Sequence, residues 1–170
     1  MKRIDFIKTT AAGSLAFMLP LSSLASGGKK LRIAQVGLGM MGVADLKDIA
    51  SHPAVDVVAL CDVDMNKINA VKATYGSAKI FTDYREMLKS MANEIDAVVV
   101  STPDHAHAPV SLMAMEMNKN VYCQKPLTHY ISESRKMEQV AAQKKLVTQM
   151  GIQVHSFYDY KLATILIQKG

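Results

Sequence analysis

Residues 31–42 read LRIAQVGLGMMG and contain the pattern that is most informative about the fold. The first six residues are typical of a strand, and GLGMMG is a G-x-G-x-x-G pattern placed directly after that strand. In this position the pattern predicts a turn that binds the pyrophosphate of a dinucleotide, with a tight turn that binds no ligand as the alternative. The first glycine permits the turn, the second lets the backbone approach the phosphates, and the third lets the following helix pack closely. The loop residues predicted to bind the cofactor are Gly37, Leu38, Gly39, Met40, Met41 and Gly42.

The rest of the chain alternates between strand-like and helix-like patterns. Strands are predicted at residues 31–36, 55–61, 79–81, 95–100, 120–123 and 146–150, and helices at 40–50, 66–75, 83–91, 105–117, 132–144 and 157–168. Strands that alternate with helices of this length predict crossover connections and a parallel sheet. Nearly continuous apolar strands indicate that both faces of the sheet are covered. We therefore predict an α/β fold with a doubly wound parallel sheet (Rossmann), in the strand order 3-2-1-4-5-6.

An acidic residue follows the second predicted strand. Asp62 comes 20 residues after Gly42, where a carboxylate accepts hydrogen bonds from the hydroxyls of the adenosine ribose. A carboxylate there also repels a 2′-phosphate, so NAD is expected in preference to NADP. Lys67 is placed too far along the next helix to reverse that preference. The alternative is a surface Asp that caps the helix, but Asp64 is the better cap and leaves Asp62 free.

Two further polar segments follow the fourth and fifth predicted strands, at the edge where open α/β sheets bind ligands. They read STPDHAHAP, residues 101–109, and VYCQKPL, residues 121–127. We place His105 near the nicotinamide or as a cap, and His107 on the first turn of the helix. The two histidines have no nearby cysteine, so no metal site is expected. Lys125 precedes a proline at a strand end, where it is a candidate proton donor, with an ordinary surface lysine as the alternative.

These motifs together resemble the Gfo/Idh/MocA oxidoreductase family. The resemblance covers about residues 31–155, and its motifs are GLGMMG at 37–42, CDVD at 61–64, TPDH at 102–105 and KP at 125–126. It implies an N-terminal NAD(P)-binding domain in which Thr102 and Pro103 lie against the cofactor. By the same resemblance, Gln124 and Lys125 lie near the nicotinamide, and Lys125 assists proton transfer. Gln124 stands where the family has glutamate, which lowers the local negative charge beside the lysine.

The length also departs from the family. Members carry a C-terminal domain that forms the substrate site and the dimer face, and it supplies a catalytic histidine. Here residues 156–170 are expected to be the start of a connection to a substrate domain that is absent, so this fragment alone is expected to be inactive. Three interpretations remain open. The chain is the NAD-binding half of a sugar or polyol dehydrogenase, part of an NAD-dependent glycoside hydrolase, or a nucleotide-binding module without catalysis. The first two imply a carbohydrate substrate and a homo-oligomer for the complete protein.

The first 26 residues read as an export signal. Lys2, Arg3 and Lys8 are basic, residues 10–24 are mostly small or apolar, and residues 23–25 fit a cleavage site. The start resembles a twin-arginine signal with Ile4 in place of the second arginine, so the general secretory route stays open. The alternative is an amphipathic helix. We expect a disordered or helical signal at 1–26, a dinucleotide-binding domain at 31–155 and an exported, periplasmic protein of the bacterial branch.

Composition excludes several other classes. The chain has 170 residues, of which 49% are hydrophobic and 21% charged, which is typical of a globular domain. The net charge is +5, but part of that excess lies in the signal. No run of five or more basic residues is present and aromatic residues are sparse, so nucleic acid is not expected as a partner. No stable membrane anchor is expected. The two cysteines, at the ends of the second and fifth strands, should stay unpaired, because three strand spacings of ~4.8 Å separate them.

Overall fold

A computed structural model describes residues 29–169, so the predicted export signal at 1–26 lies outside the described residues. The strands are β1 Leu31–Val36, β2 Val55–Cys61, β3 Lys79–Phe81, β4 Ala97–Val100, β5 Asn120–Gln124 and β6 Thr148–Gly151. The helices are α1 Met40–Ala50, α2 Met65–Lys72, α3 Tyr84–Ser90, α4 Asp104–Glu116, α5 Ile131–Lys144 and α6 Tyr158–Lys169, with a short 3₁₀ helix at Gln153–Ser156. Within this range no helix is both long enough and apolar enough to cross a bilayer.

The six strands form one parallel sheet in the order β3-β2-β1-β4-β5-β6, which confirms the predicted topology. The order reverses between β1 and β4, where Val36 pairs with Val100 at the carboxyl ends of the two strands. The loops after these strands leave in opposite directions, so a crevice opens between them. In this architecture that crevice is where ligands bind.

The core lies on both faces of the sheet, as the apolar strands predicted. Along β4, Val98 and Val100 belong to one buried cluster and Val99 to the other. The first cluster packs under α4 and α5, with Ala114 and Met137 among its members. The second includes residues of α1 and α2. Because β4 is buried on both sides, its side chains are apolar at consecutive positions rather than at alternate ones.

Several element boundaries differ from the predictions. The second helix is predicted at 66–75 but ends at Lys72, because the chain then turns and the Ala78 N–H donates to the carbonyl of Tyr75 at 2.9 Å on the way into β3. Asp64 caps this helix as expected, accepting from the Asn66 N–H at 2.9 Å. β4 begins at Ala97 instead of residue 95, and β6 runs over 148–151 instead of 146–150. Helix α6 lies on the surface with no buried residue.

Both cysteines are buried and free, which confirms the prediction. β1 and β4 lie between the strands that hold them. Burial raises the pKa of Cys61 to about 12, with smaller contributions from the carboxylates of Asp83 and Asp62. Burial also raises the pKa of Cys123 to about 11. Since the thiolate is the reactive form, these two thiols are chemically inert at neutral pH.

Candidate functional site

A cavity of about 640 Å³ lies at the carboxyl edge of the sheet, at the crevice between β1 and β4. The glycine loop, the loop after β2 and the segment after β4 line it. The predicted site residues in its wall are Gly37, Gly39, Met40, Met41, Gly42, Asp62, Thr102, Pro103 and His105. Gln124 and Lys125 line a neighbouring cavity of about 170 Å³, which shares Met41 and Thr102 with the larger one. The structure therefore brings all the predicted segments to one edge of the sheet.

The glycine loop has the geometry that its sequence predicts. Gly37 has a φ of +90°, and a Cβ there would overlap the carbonyl oxygen of Ser101. A Cβ on Gly42 would overlap the carbonyl oxygen of Gly37, so α1 can pack against the turn only with glycine at this position. At Gly39 a Cβ would meet no atom within 4 Å, because the backbone there faces open space. Helix α1 starts next to it, and no side chain of its N-cap residue accepts a hydrogen bond from the first N–H groups of the helix.

Buried side chains hold the peptide between Gly37 and Leu38 at both of its ends. The Gln35 amide donates to the Gly37 carbonyl at 2.9 Å, and the Leu38 N–H donates to Asp62 Oδ2 at 2.7 Å. The Leu38 side chain is buried in the apolar core, and its predicted contact with the cofactor stays a prediction. Asp62 Oδ1 also accepts from the Asp64 N–H at 2.9 Å. Asp62 therefore fixes the turn of the glycine loop and faces the cavity at the same time.

Lys67 lies closer to Asp62 than the sequence suggested. Its Nζ is 4.0 Å from Asp62 Oδ1, and the side chain lines the large cavity. Residue 67 lies on the first turn of α2, near the end of β2, so its ammonium can approach Asp62. Its expected lack of effect on the choice between NAD and NADP stays a prediction. The ammonium is half-exposed, so water weakens its attraction to the carboxylate. The wall of the cavity at the end of β2 thus contains both a negative and a positive group.

The segment after β4 contains an unused polar atom. Thr102 Oγ1 is buried and has no hydrogen-bond partner among the described residues, although the residue lines both cavities. His105 is exposed in the wall of the large cavity. His107 is fully buried, and its ring nitrogens lie 2.8 Å from the carbonyl oxygen of Thr102 and 2.6 Å from that of Pro126. His107 therefore connects the loop after β4 to the loop after β5.

A buried hydrogen-bond network, which the sequence did not predict, links the same two loops from the other side. Asp45 on α1 accepts from Ser101 Oγ at 2.6 Å and from the Gln124 amide at 2.9 and 3.1 Å. Gln124 in turn accepts from the N–H of Lys125 at 3.2 Å. One signal was available in the sequence. Asp45 stands three residues after Gly42 and next to Leu46, on the face of the helix that packs against the sheet.

The residues present fit a dinucleotide. Open space at Gly39, the free N–H groups at the start of α1 and the orphaned Thr102 hydroxyl offer donors and room for its phosphates and its polar ring substituents. Asp62 offers a carboxylate to the ribose hydroxyls. Within residues 29–169, no group of three His, Cys, Asp or Glu side chains is placed to hold a metal ion.

Comparison with known proteins points to one family. Residues 31–152 match the model of the GFO_IDH_MocA family, described as "Oxidoreductase family, NAD-binding Rossmann fold". A "Glycosyl hydrolase family 109 protein" from Stenotrophomonas maltophilia is 33% identical over 135 residues, which is 73% of this chain and 29% of that protein. An "Inositol 2-dehydrogenase" from Salmonella typhimurium is 33% identical over 99 residues, 57% of this chain and 29% of that protein.

Solved structures show the same likeness. Myo-inositol 2-dehydrogenase from Lactobacillus plantarum superimposes with a TM-score of 0.77 at 28% identity, covering 84% of this chain and 42% of that one. Scyllo-inositol dehydrogenase from Lactobacillus casei, solved with NAD(H) and scyllo-inositol bound, gives a TM-score of 0.76 at 27% identity over the same shares. The chain therefore spans less than half the length of these relatives.

Proposed function

The chain belongs to the Gfo/Idh/MocA oxidoreductase family, with an NAD-binding Rossmann fold, and on that premise we propose that it is the NAD-binding part of an enzyme that oxidises a secondary alcohol of a polyol or sugar. The observation that supports this most is the single cavity in which the glycine loop, Asp62 and the Thr102 segment meet. The named substrates of its relatives include inositols. A small cyclic polyol is therefore the substrate class we assign.

Each segment of the cavity has a distinct task in this proposal. The N–H groups at the start of α1 bind the pyrophosphate, and Asp62 accepts from the ribose hydroxyls. The Thr102 hydroxyl, which has no partner of its own, hydrogen-bonds to the polar part of the nicotinamide half. When bound, NAD supplies the acceptor for the hydride that leaves the carbinol carbon.

Lys125 is the residue we assign to the proton. It lies at the end of β5, in the smaller cavity next to Thr102, and its side chain is exposed to solvent and to an incoming substrate. During oxidation the substrate loses a hydride from carbon and a proton from oxygen. Lys125 Nζ exchanges that proton with the substrate oxygen, giving it back in the direction of reduction.

Two measurements test the proposal. Calorimetry on the purified chain should show NAD binding that is weakened in the D62A variant. The protein as its own organism produces it should form NADH, followed by absorbance, with members of an inositol and sugar panel. Failure to bind NAD would overturn the cofactor site. NAD binding without NADH formation on any polyol or sugar would overturn the reaction.

A second candidate is glycoside hydrolysis with NAD as a recycled cofactor. It is favoured by the 33% identity to a "Glycosyl hydrolase family 109 protein". In this reaction the sugar is oxidised, eliminates its substituent and is reduced again, so NADH does not accumulate. A chromogenic glycoside separates the two candidates, because release of the chromophore without net NADH supports hydrolysis and net NADH supports the dehydrogenase.

We further propose that the protein is exported to the periplasm and acts as a homo-oligomer. The basic start, the apolar run and the cleavage site within residues 1–26 support export. Because NAD is expected to be scarce outside the cytoplasm, export of the folded protein with its cofactor bound suits this enzyme best. Cell fractionation, N-terminal sequencing of the mature protein and its mass in solution test these points. A cytoplasmic, uncleaved monomer would contradict them.

A further inference from the structure

Asp45 is an unusual residue for the inner face of a helix. It is 8% exposed, and its side chain lies on the face of α1 that packs against the sheet, next to Leu46. Within residues 29–169, no Lys, Arg or His side chain forms an ion pair with it. A buried carboxylate without a cation is costly unless strong hydrogen-bond donors surround it. Asp45 has two such donors, and they come from two different loops of the cofactor site.

The first donor leads to the glycine turn. The Ser101 hydroxyl donates to Asp45 Oδ2 at 2.6 Å and accepts from the Gln35 amide at 3.2 Å. The same Gln35 amide donates to the carbonyl of Gly37 at 2.9 Å. Two side chains therefore connect the carboxylate to the first peptide of the phosphate-binding turn.

The second donor leads to Lys125. The Gln124 amide nitrogen donates to both oxygens of Asp45, and its carbonyl oxygen accepts from the Lys125 N–H. The acceptor character of the carboxylate fixes which end of the Gln124 amide faces which partner. Gln124 is 4% exposed while Lys125 is exposed, so the network ends where the chain emerges from the sheet.

We propose that Asp45 is a positioning residue that holds the Lys125 loop beside the bound cofactor, an inference that rests on the proposed function. Its single negative charge receives hydrogen bonds from both sides, which joins the glycine turn, the end of β4 and the end of β5. An amide in its place has only one acceptor oxygen, and its NH₂ group would face either Ser101 or the Gln124 amide nitrogen. A hydrogen bond to a charged group changes an equilibrium by about 10- to 150-fold. Loss of one should therefore shift the equilibrium between the held and the released Lys125 loop by a factor of that size.

The test measures where the Lys125 amine lies relative to NAD. The chain is treated with a limiting amount of acetic anhydride with and without saturating NAD. Mass spectrometry then follows acetylation of Lys125, with exposed Lys136 on α5 as the internal reference. NAD should protect Lys125 in the wild-type chain and leave Lys136 unchanged. D45N should still bind NAD, but the factor by which NAD slows acetylation of Lys125 should fall at least about tenfold. D45N/Q124E exchanges the carboxylate and the amide between the two positions, and it should recover the protection.

D48N is the matched control, because Asp48 lies exposed on the same helix and its carboxylate accepts none of the bonds described above. Protection that persists in D45N, or that D45N/Q124E fails to recover in a folded protein, would overturn the role of Asp45 and leave the proposed function intact. If the wild-type chain binds NAD without protecting Lys125, the role of this lysine in the proposed function fails as well. Should D45N fail to fold, S101A takes its place, since it removes one donor and leaves the carboxylate.

Discussion

Replacing Asp62 with Asn tests the double role that the structure gives this residue. The carboxylate accepts two backbone hydrogen bonds, a buried one from Leu38 N–H at 2.7 Å and a partly buried one from Asp64 N–H at 2.9 Å. Asn keeps the shape but has one acceptor oxygen, so one N–H loses its partner and meets an NH₂ group. Loss of one hydrogen bond to a charged group costs about 1.5–3 kcal/mol. For a domain of this size, D62N should therefore lower Tm by roughly 5–12 °C.

The same change should weaken NAD binding separately, because the ribose hydroxyls lose a charged acceptor. We expect a loss of about 10- to 150-fold in affinity by calorimetry. D64N is the control, since Asp64 is an N-cap residue at which Asn is equally suitable. A D62N protein that melts within about 1 °C of wild type would refute the role of Asp62 in holding the turn. An NAD affinity equal to that of D64N would refute its role at the ribose.

Further perturbations test single contacts. K67Q removes the ammonium that lies 4.0 Å from Asp62, so the affinity for NADP should fall by about fivefold while the affinity for NAD changes less. Titration with each cofactor measures both affinities, and equal losses would contradict this. G42A places a methyl group against the Gly37 carbonyl and should lower both Tm and NAD affinity, whereas an unchanged protein would show that α1 can shift freely. At pH 8 the native thiols of Cys61 and Cys123 should react with a disulfide reagent at least ~100-fold more slowly than in the unfolded chain, because burial raises their pKa values from 9.0 to about 12 and about 11. Since both thiols hold their protons more tightly in the folded protein, proton binding contributes to the free energy of unfolding below pH 9.0. This contribution is lost as pH rises towards 11 and 12, so a melting series should show a falling Tm.

Much of the fold could be read from local patterns. Apolar runs of strand length, helical periodicity and the glycine spacing at residues 37–42 are set by neighbouring residues, so the topology and the phosphate turn follow from them. Asp62 was also predictable, because its place at the end of β2 depends only on strand length and loop length. The exact ends of α2 and β4 were not, since they depend on hydrogen bonds made by the turns.

The contacts across the site depended on tertiary structure alone. Asp45 meets Ser101 and Gln124 across 56 and 79 residues of chain, and no periodicity relates positions so far apart. His107 bonds to the carbonyls of Thr102 and Pro126 only because α4 and the loop after β5 pack together. Lys67 approaches Asp62 because the loop after β2 places the first turn of α2 beside that carboxylate. Spacing and apolar patterns along the chain were enough to predict the sheet, its strand order and the edge at which the candidate site lies. Which buried side chains meet at that edge was decided by packing, since hydrogen bonds between loops form only after the strands have placed those loops side by side.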